Sequence, residues 1–397
     1  MLFRYKARDP LANVIEGTID AESPEQAQQE LLSDGFRVLQ IEREGGGIAL
    51  LERRVTKKDV IYTTNQLAVL VDTGINLSTA LSGIIEEEEN PTLRRVLEDL
   101  RSGVESGDPF STTLARHPKL FDQTYVSLVK ASEATGTLGE MLDRIAGYLR
   151  KEVETRGKIR GALAYPGVMA FVAIGVTIFL LTFVLPKFAP LFNRRGVELP
   201  MATIFMMAAS KTLIGYWYLW LVGAIAAVLG FFFGIRTTKG RRAWDWFAIN
   251  APIIGPLQRK VTISRTIRTL GTMIQSEVPM LDALQLSADV AGNYYYEQLW
   301  HKVMDDVTGG NQICETLVKS SLFPKVLVQM VRAGEETGEL GPILNRISSY
   351  YDQEVDTAIK ASMSMIEPIM ITIMGVIVGG IAMALLLPIF QLSKAPG

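Results

Sequence analysis

LFDQTYVSLVKASEATGTLGEML at 120–142 is answered by LFPKVLVQMVRAGEETGELGPIL at 322–344. The register sets Glu133 against Glu335, Gly136 against Gly338 and Leu138 against Leu340, a constant separation of 202 positions. It continues past the quoted segments: Tyr148 matches Tyr350, Glu152 matches Glu354, Lys158 matches Lys360 and Pro166 matches Pro368. From 120 to 166, 19 of 47 positions are identical, against ~6% per position expected from average residue usage. Upstream, Ala80 and Leu81 match Ala283 and Leu284 one residue further apart, so one residue separates the copies somewhere between. The chain is a duplication, and each copy is one structural unit.

Each copy has the periodicity of helices. Leu67, Leu70 and Val71, then Leu77, Leu81 and Ile84, then Val96, Leu97, Leu100 and Val104 recur at spacings of three, four and seven, which places each set on one helix face. Thr56 and Asp59 have the spacing of a capping box. Thr73-Gly74, Asn90-Pro91, Ser106-Gly107-Asp108-Pro109 and Thr135-Gly136 interrupt the pattern at intervals suited to short helix hairpins. An antiparallel bundle is the economical fold for such a string.

Outward from the copies lie three runs with no Asp, Glu, Lys, Arg or His, at 167–185, 213–235 and 369–390. Each is close to the ~20 residues that cross a bilayer core, and each is expected to be a transmembrane helix. The apolar excess of the chain, 48% hydrophobic residues and a mean hydropathy of +0.21 over 397 residues, is concentrated in them. Arg150, Lys151, Arg156, Lys158 and Arg160 precede the first run, and Arg236, Lys239, Arg241, Arg242, Arg259 and Lys260 follow the second. Basic flanks favour the cytoplasm. The connection 186–212 holds Lys187, Arg194, Arg195 and Lys211 only, so it is expected outside, and alternation then puts 236–366 inside and the tail outside. The opening MLFRYKARDP carries charges and no apolar run, so no signal peptide is expected.

The first 44 residues differ. Phe3, Tyr5 and Ala7 alternate with polar residues, Val14 to Ile19 reads as a second strand, Ser23-Pro24-Glu25 opens a helix ending near Asp34-Gly35, and Arg37 to Ile41 reads as a third strand. The expected fold is mainly α: two homologous cytoplasmic antiparallel helical bundles with three transmembrane helices, plus a small N-terminal α+β domain. The divisions are the α+β domain at 1–44, a Gly45-Gly46-Gly47 linker within 45–55, a first bundle at 56–166 and a span at 167–185. An outside loop at 186–212, a span at 213–235, a second bundle at 236–366, a span at 367–390 and an outside tail at 391–397 complete the chain.

NQLAVLVDTGINLSTAL (65–81), the copies ASEATGTL and AGEETGEL, the span entrances ALAYP (162–166) and MIEP (365–368), and LLLPIF (385–390) resemble the inner-membrane platform protein, or F family, of type II secretion systems and type IV pilus assembly machines. The resemblance covers nearly the whole chain. It implies a non-enzymatic hub of the bacterial inner membrane that couples a cytoplasmic hexameric assembly ATPase to insertion of pilin or pseudopilin subunits. Single-span inner-membrane proteins, membrane lipid and further copies of the chain are the other partners implied. Two departures stand out: Glu277 replaces the turn glycine Gly74 in the second copy, and Ser132 stands where the pattern has glycine before Glu133.

The search for chemistry agrees with a hub. No G-x-x-x-x-G-K-[ST] occurs, so the chain lacks a phosphate cradle and is not itself the motor. A single cysteine, Cys314, and two distant histidines, His117 and His301, exclude a thiolate cluster or a paired-ligand metal site, and neither histidine has a nucleophile in a recognisable pattern. His117 reads as a loop residue before Pro118. A net charge of -2 gives no reason to expect nucleic acid. No cofactor is expected. The run Glu86 to Glu89 reads as solvated surface or as a docking patch, and Met201, Met206 and Met207 as apolar packing.

The candidate structural or partner-contact residues are Glu133, Gly136, Glu335, Gly338, Pro166, Glu367 and Pro368. Gly136 and Gly338 are expected to end a helix in the left-handed conformation. Glu133 and Glu335 then fall in a last helical turn, where the helix dipole disfavours negative charge by ~0.3–1 kcal/mol. Either each turns to accept backbone N–H groups at the start of the next helix, locking the corner, or it meets a basic group on a partner or on the other copy. Glu367 before Pro368 is expected at the N-terminus of the third span, where an acid is favoured. A transporter or channel is the rival class, but spans without an ionisable residue offer little to line a polar path.

Overall fold

The two copies build matching strings of six helices. A computed structural model describes residues 2–8, 14–21, 24–33, 35–43, 54–187 and 201–394. The first copy comprises α2 (Lys57–Asp72), α3 (Leu77–Glu87), α4 (Pro91–Glu105), α5 (Phe110–Ala115), α6 (Gln123–Thr135) and α7 (Leu138–Phe179). The second comprises α11 (Ile254–Gln275), α12 (Met280–Val290), α13 (Tyr294–Thr308), α14 (Ile313–Val318), α15 (Lys325–Thr337) and α16 (Leu340–Lys394). The offset between copies is one residue larger before the α5–α6 and α14–α15 loops than after them, so the extra residue lies in the loop containing His117.

The same positions form both cores. Leu81, Leu114, Leu142 and Ile145 are buried, as are their counterparts Leu284, Leu317, Leu344 and Ile347. The helix with the span attached packs along the first helix of its own module, α7 on α2 and α16 on α11. Thr56 and Asp59 complete the capping box that opens α2, with bonds of 3.3 and 2.8 Å. Gly74 takes φ +87°, and Glu277 at the equivalent corner is the one non-glycine residue with positive φ among the described residues, at +58°.

Three helices are long and apolar enough to cross a membrane, within Leu138–Lys187, Trp217–Arg236 and Leu340–Leu387. The first and third do not begin at their apolar runs. α7 is 42 residues long and passes through Pro166, and α16 is 55 residues long and passes through Pro368. The expected breaks at 166/167 and 366/367 are therefore absent, and Glu367 lies inside a helix rather than at its N-terminus. Proline suits the first position of a helix, where Pro368 is expected; inside a helix it removes one i→i−4 bond. A long helix held by neighbours on both sides of the proline survives that single loss.

The connection also differs from a loop. Residues 201–215 form α8 (Met201–Gly215), and after a break at Tyr216 the second span is α9 (Trp217–Arg236), four residues later than its apolar run suggests. α8 packs between the other two spans: Met206, Met207 and Leu213 meet Leu181, Leu185, Ile377, Ile381 and Leu385. Met201 is exposed. The first span contains a π-helical turn at Leu180–Val184, and the Leu181 carbonyl there accepts the Ser210 hydroxyl at 2.5 Å. Thr203 donates to the Ala384 carbonyl of the third span at 2.8 Å. A further helix, α10 (Thr238–Asn250), follows α9 before the second module begins.

In the N-terminal unit, β1 (Leu2–Arg8), β2 (Val14–Asp20) and β3 (Arg37–Arg43) form an antiparallel sheet in the order β2-β1-β3, and α1 (Pro24–Ser33) packs on β3. The Gly45-Gly46-Gly47 stretch, residues 188–200 of the connection and the end of the tail lie outside the described residues.

Candidate functional site

Two features are repeated with their chemistry intact, a carboxylate-locked corner and a Lys–Glu ion pair in each module, and a single seam joins the modules.

α5 and α14 are single short turns whose N-caps, Pro109 and Gln312, make no side-chain cap bond. Their first N–H groups are therefore without an intrahelical or capping acceptor. Glu133, reaching back from α6, accepts the Ser111 N–H at 3.1 Å on one oxygen and the Ser111 hydroxyl at 2.5 Å on the other. Glu335, reaching back from α15, accepts the Ile313 N–H at 2.6 Å and the Cys314 N–H at 2.9 Å. Ser111 and Cys314 are equivalent positions, so both copies tie the same backbone group. The sequence pointed to the start of the following helix; the carboxylates instead cap the preceding short one. There the N-terminal dipole end of α5 or α14 favours the charge that the C-terminal end of α6 or α15 disfavours.

The corners end at Gly136 (φ +73°) and Gly338 (φ +74°), both left-handed. The next glycine of each T-G-x-L-G stretch has a different task, one that the periodicity did not single out. A Cβ on Gly139 would sit 2.9 Å from the Asp72 backbone, and one on Gly341 would sit 3.3 Å from Gln275. α7 and α16 therefore start almost touching the ends of α2 and α11. Cys314 is buried inside its corner, and burial pushes its thiol up from the ordinary value.

Ion pairs inside each module repeat as well. Lys57 meets Glu152 at 3.0 Å, and their counterparts Lys260 and Glu354 meet at 2.6 Å. Burial works to raise the Glu152 carboxyl, but the Lys57 hydrogen bond and charge, with Arg156 and Arg265, hold it below the ordinary range. Glu354 is lowered by the Lys260 hydrogen bond and then by its charge.

Between the modules, Ile159 and Ala162 of α7 pack into the cluster of Leu257, Val261, Val355, Ala358 and Ile359. Arg144 donates to the Gln275 carbonyl at 2.9 Å, Tyr148 and Thr269 share a hydrogen bond of 3.3 Å, and Lys158 meets Asp356 at 2.8 Å. At the membrane end of the seam, Tyr165 reaches Glu367 at 3.4 Å. Pro166 and Pro368 stand one residue beyond that contact on their respective helices. His117 is not free in its loop: its Nε2 pairs with Asp99 at 2.7 Å. Glu86 and Glu87 are exposed on the last turn of α3.

The chain matches the family described as type II secretion system (T2SS), protein F, twice, over residues 63–186 and 266–388, and that family's N-terminal domain over residues 1–42. It is 36% identical to the type IV pilus assembly protein PilC of Thermus thermophilus over 98% of both chains. To the type IV pilus assembly protein PilC of Myxococcus xanthus it is 35% identical, over 99% of this chain and 95% of the other. To the type II secretion system protein F of Vibrio cholerae it is 29% identical, over 99% and 98%.

Proposed function

The chain belongs to the type II secretion system protein F family, and from that premise we propose how a multi-pass platform protein of a secretion or pilus-assembly machine uses this architecture. The reading is a structural hub of the bacterial inner membrane that couples a cytoplasmic hexameric assembly ATPase to insertion of pilin or pseudopilin subunits. One observation carries it: each helical module is joined to a membrane span through a single unbroken helix, α7 or α16, with no linker between the two. A contact made on the module is thereby mechanically continuous with a helix in the bilayer. Single-span proteins of the same machine, membrane lipid and further copies of the chain are the other partners.

The N-terminus and 236–366 are cytoplasmic in this reading and Gly397 is outside, which the basic flanks support. Residues 1–44 act as a separate small cytoplasmic domain, supported by the family match over 1–42. Glu133, Gly136, Glu335 and Gly338 serve as corner locks, since both oxygens of each carboxylate already hold donors of the same module. Pro166, Glu367 and Pro368 set the seam where the modules enter the membrane. A transporter or channel is not favoured, because the three apolar runs contain no ionisable side chain to line a path.

The test is co-purification of the full-length chain, in lipid nanodiscs, with the hexameric assembly ATPase of the same machine. A stable complex in which the chain alone hydrolyses no ATP is expected, and absence of any complex overturns the coupling role. Reporter fusions after Arg160, Gly196, Gly310 and Gly397 should read in, out, in, out. A cytoplasmic signal at Gly397 would overturn the orientation.

A further inference from the structure

α10 follows the second span after a single residue, Thr237, with the sequence TKGRRAWDWFAIN. One side of it is spent on the second module. Asp245 and Ile249 are buried, Asp245 accepts the Tyr294 N–H at 2.7 Å, and Arg241 meets Glu297 at 2.5 Å. The other side leaves three large aromatic residues in the open: Trp244, Trp246 and Phe247 are 41%, 56% and 55% exposed. Three adjacent aromatics on one short helix are an apolar patch that water does not favour.

Two ring contacts fix where that patch lies. Trp244 stands edge-on to Phe231 of the span with centroids 4.9 Å apart, and Phe247 continues the ladder 5.9 Å from Trp244. Phe231 is five residues inside the end of α9, more than a full turn. α10 therefore folds back beside the last turns of a helix apolar enough to cross a membrane, with its aromatic rings beside that helix's end. Basic side chains surround it: Arg236, Lys239 and Arg242 are exposed. The Arg236 guanidinium lies 4.6 Å over the Phe232 ring of the span, whereas Arg242 is on the module side, 5.7 Å over the Tyr294 ring of α13. Aromatic rings with lysine and arginine beside the end of a span are the composition of an interfacial helix, whose rings enter the acyl boundary while its cations meet lipid phosphates.

We propose that α10 is an interfacial helix that seats Trp244, Trp246 and Phe247 in the headgroup layer, with Lys239 and the neighbouring Arg236 binding anionic lipid. The second module is then held against the membrane by lipid of net negative charge, in addition to its two flanking spans. The selectivity is electrostatic, because zwitterionic headgroups offer the aromatic face the same boundary but no net attraction to the cations.

Full-length protein bearing Cys314→Ser and a single Phe247→Cys, labelled with an environment-sensitive fluorophore, is placed in nanodiscs of phosphatidylcholine with or without 30% phosphatidylglycerol. The control label is Glu336→Cys, at the corner before α16 and far along that helix from the bilayer. The label at 247 should be quenched by nitroxide-labelled lipid and shielded from aqueous iodide, with shielding at least twofold stronger when phosphatidylglycerol is present. The label at 336 should show the reverse pattern in both discs. Arg236→Glu with Lys239→Glu should abolish the difference between the two lipid compositions, and thermal melting verifies that this variant is folded. Should it not fold, Arg236→Gln with Lys239→Gln replaces it, with the same expectation. Equal iodide access at 247 and 336 overturns the seating, and lipid dependence that survives loss of both cations overturns the anionic-lipid site.

Discussion

Tyr165 and Glu367 are the same position of the two repeats, and the Tyr165 hydroxyl donates to Glu367 Oε1 at 3.4 Å. Equivalent levels of α7 and α16 therefore meet at this contact. Lys158 bridges the same two helices nearby. It bonds Glu154 on its own helix at 3.0 Å and Asp356, the counterpart of Glu154, across the seam. The copies differ at the contact, tyrosine in one and glutamate in the other, and that difference supplies a donor and an acceptor. Tyr165→Phe should therefore cost about 0.5–1.5 kcal/mol, and Glu367→Gln less, since an amide oxygen still accepts; thermal melting of the protein in nanodiscs measures both.

The corner carboxylates give the second expectation. Glu335→Ala strips two N–H groups of their acceptor and should destabilise by about 1–2 kcal/mol, in the range of a lost helix cap, with Glu335→Gln costing about half as much. Glu133→Ala should behave alike, and Ser111→Ala should cost less than Glu133→Ala because the Ser111 N–H bond remains. If Glu335→Gln left stability unchanged and abolished assembly in cells, the corner-lock role would be wrong and the carboxylate would be a partner contact.

Glu277 offers a gain of stability. A side chain at φ +58° is strained where Gly74 in the first copy is not. Glu277→Gly should raise stability by about 1 kcal/mol, read as an increase in melting temperature. Gly139→Ala should act in the opposite sense by about 1–3 kcal/mol, because its Cβ meets backbone at 2.9 Å, and Gly341→Ala should be milder, because its neighbour at 3.3 Å is a side-chain carbon of Gln275.

Acid should weaken both modules through their repeated ion pairs. Glu152 and Glu354 have carboxyls lowered in the folded state. Their contribution is complete above the ordinary glutamate range and is lost as pH falls below it, through the lowered folded values. Melting temperature should hold from neutral pH to about 5 and fall below that, the ordinary value being near 4.3. Lys57→Met should reduce the slope, and should lower stability at neutral pH by about 0.5–1 kcal/mol, the size of a partly exposed pair.

Helix α8 supplies the last expectation. Ser210→Ala and Thr203→Val each remove one hydroxyl bond to a span carbonyl in apolar surroundings, worth about 0.6–1.7 kcal/mol. Their effects should add, since they act on different spans, and melting of the single and double variants tests this.

Much of the fold was legible because duplication and apolar runs are properties of sequence alone. The 202-residue register showed two like modules, and absence of charge over a bilayer's width showed the spans. What escaped depended on contacts made at a distance. Nothing near Glu133 names Ser111, 22 residues earlier, as its partner, and the spacing that joins Lys57 to Glu152 is 95 residues. Residues 201–212 read as part of the outside connection and 213–215 as the start of the second span. Packing against Leu181, Leu185 and Ile381, which no local pattern shows, is what a single helix over 201–215 provides. Pro166 and Pro368 read as boundaries for a local reason, and the neighbours that keep each helix whole are tertiary.

Those two prolines leave a particular mechanical signature. α7 and α16 span about 63 and 83 Å at 1.5 Å per residue. In each, proline deletes the bond to the carbonyl four residues back, at Ala162 in one and Ser364 in the other. The two rods thus have their point of least bending stiffness at the same height, and the Tyr165–Glu367 contact ties them together one residue away. Compliance placed at matched levels and cross-linked there makes the pair a double-leaf flexure. A bend at the proline level of one rod is thereby coupled to the other through that contact.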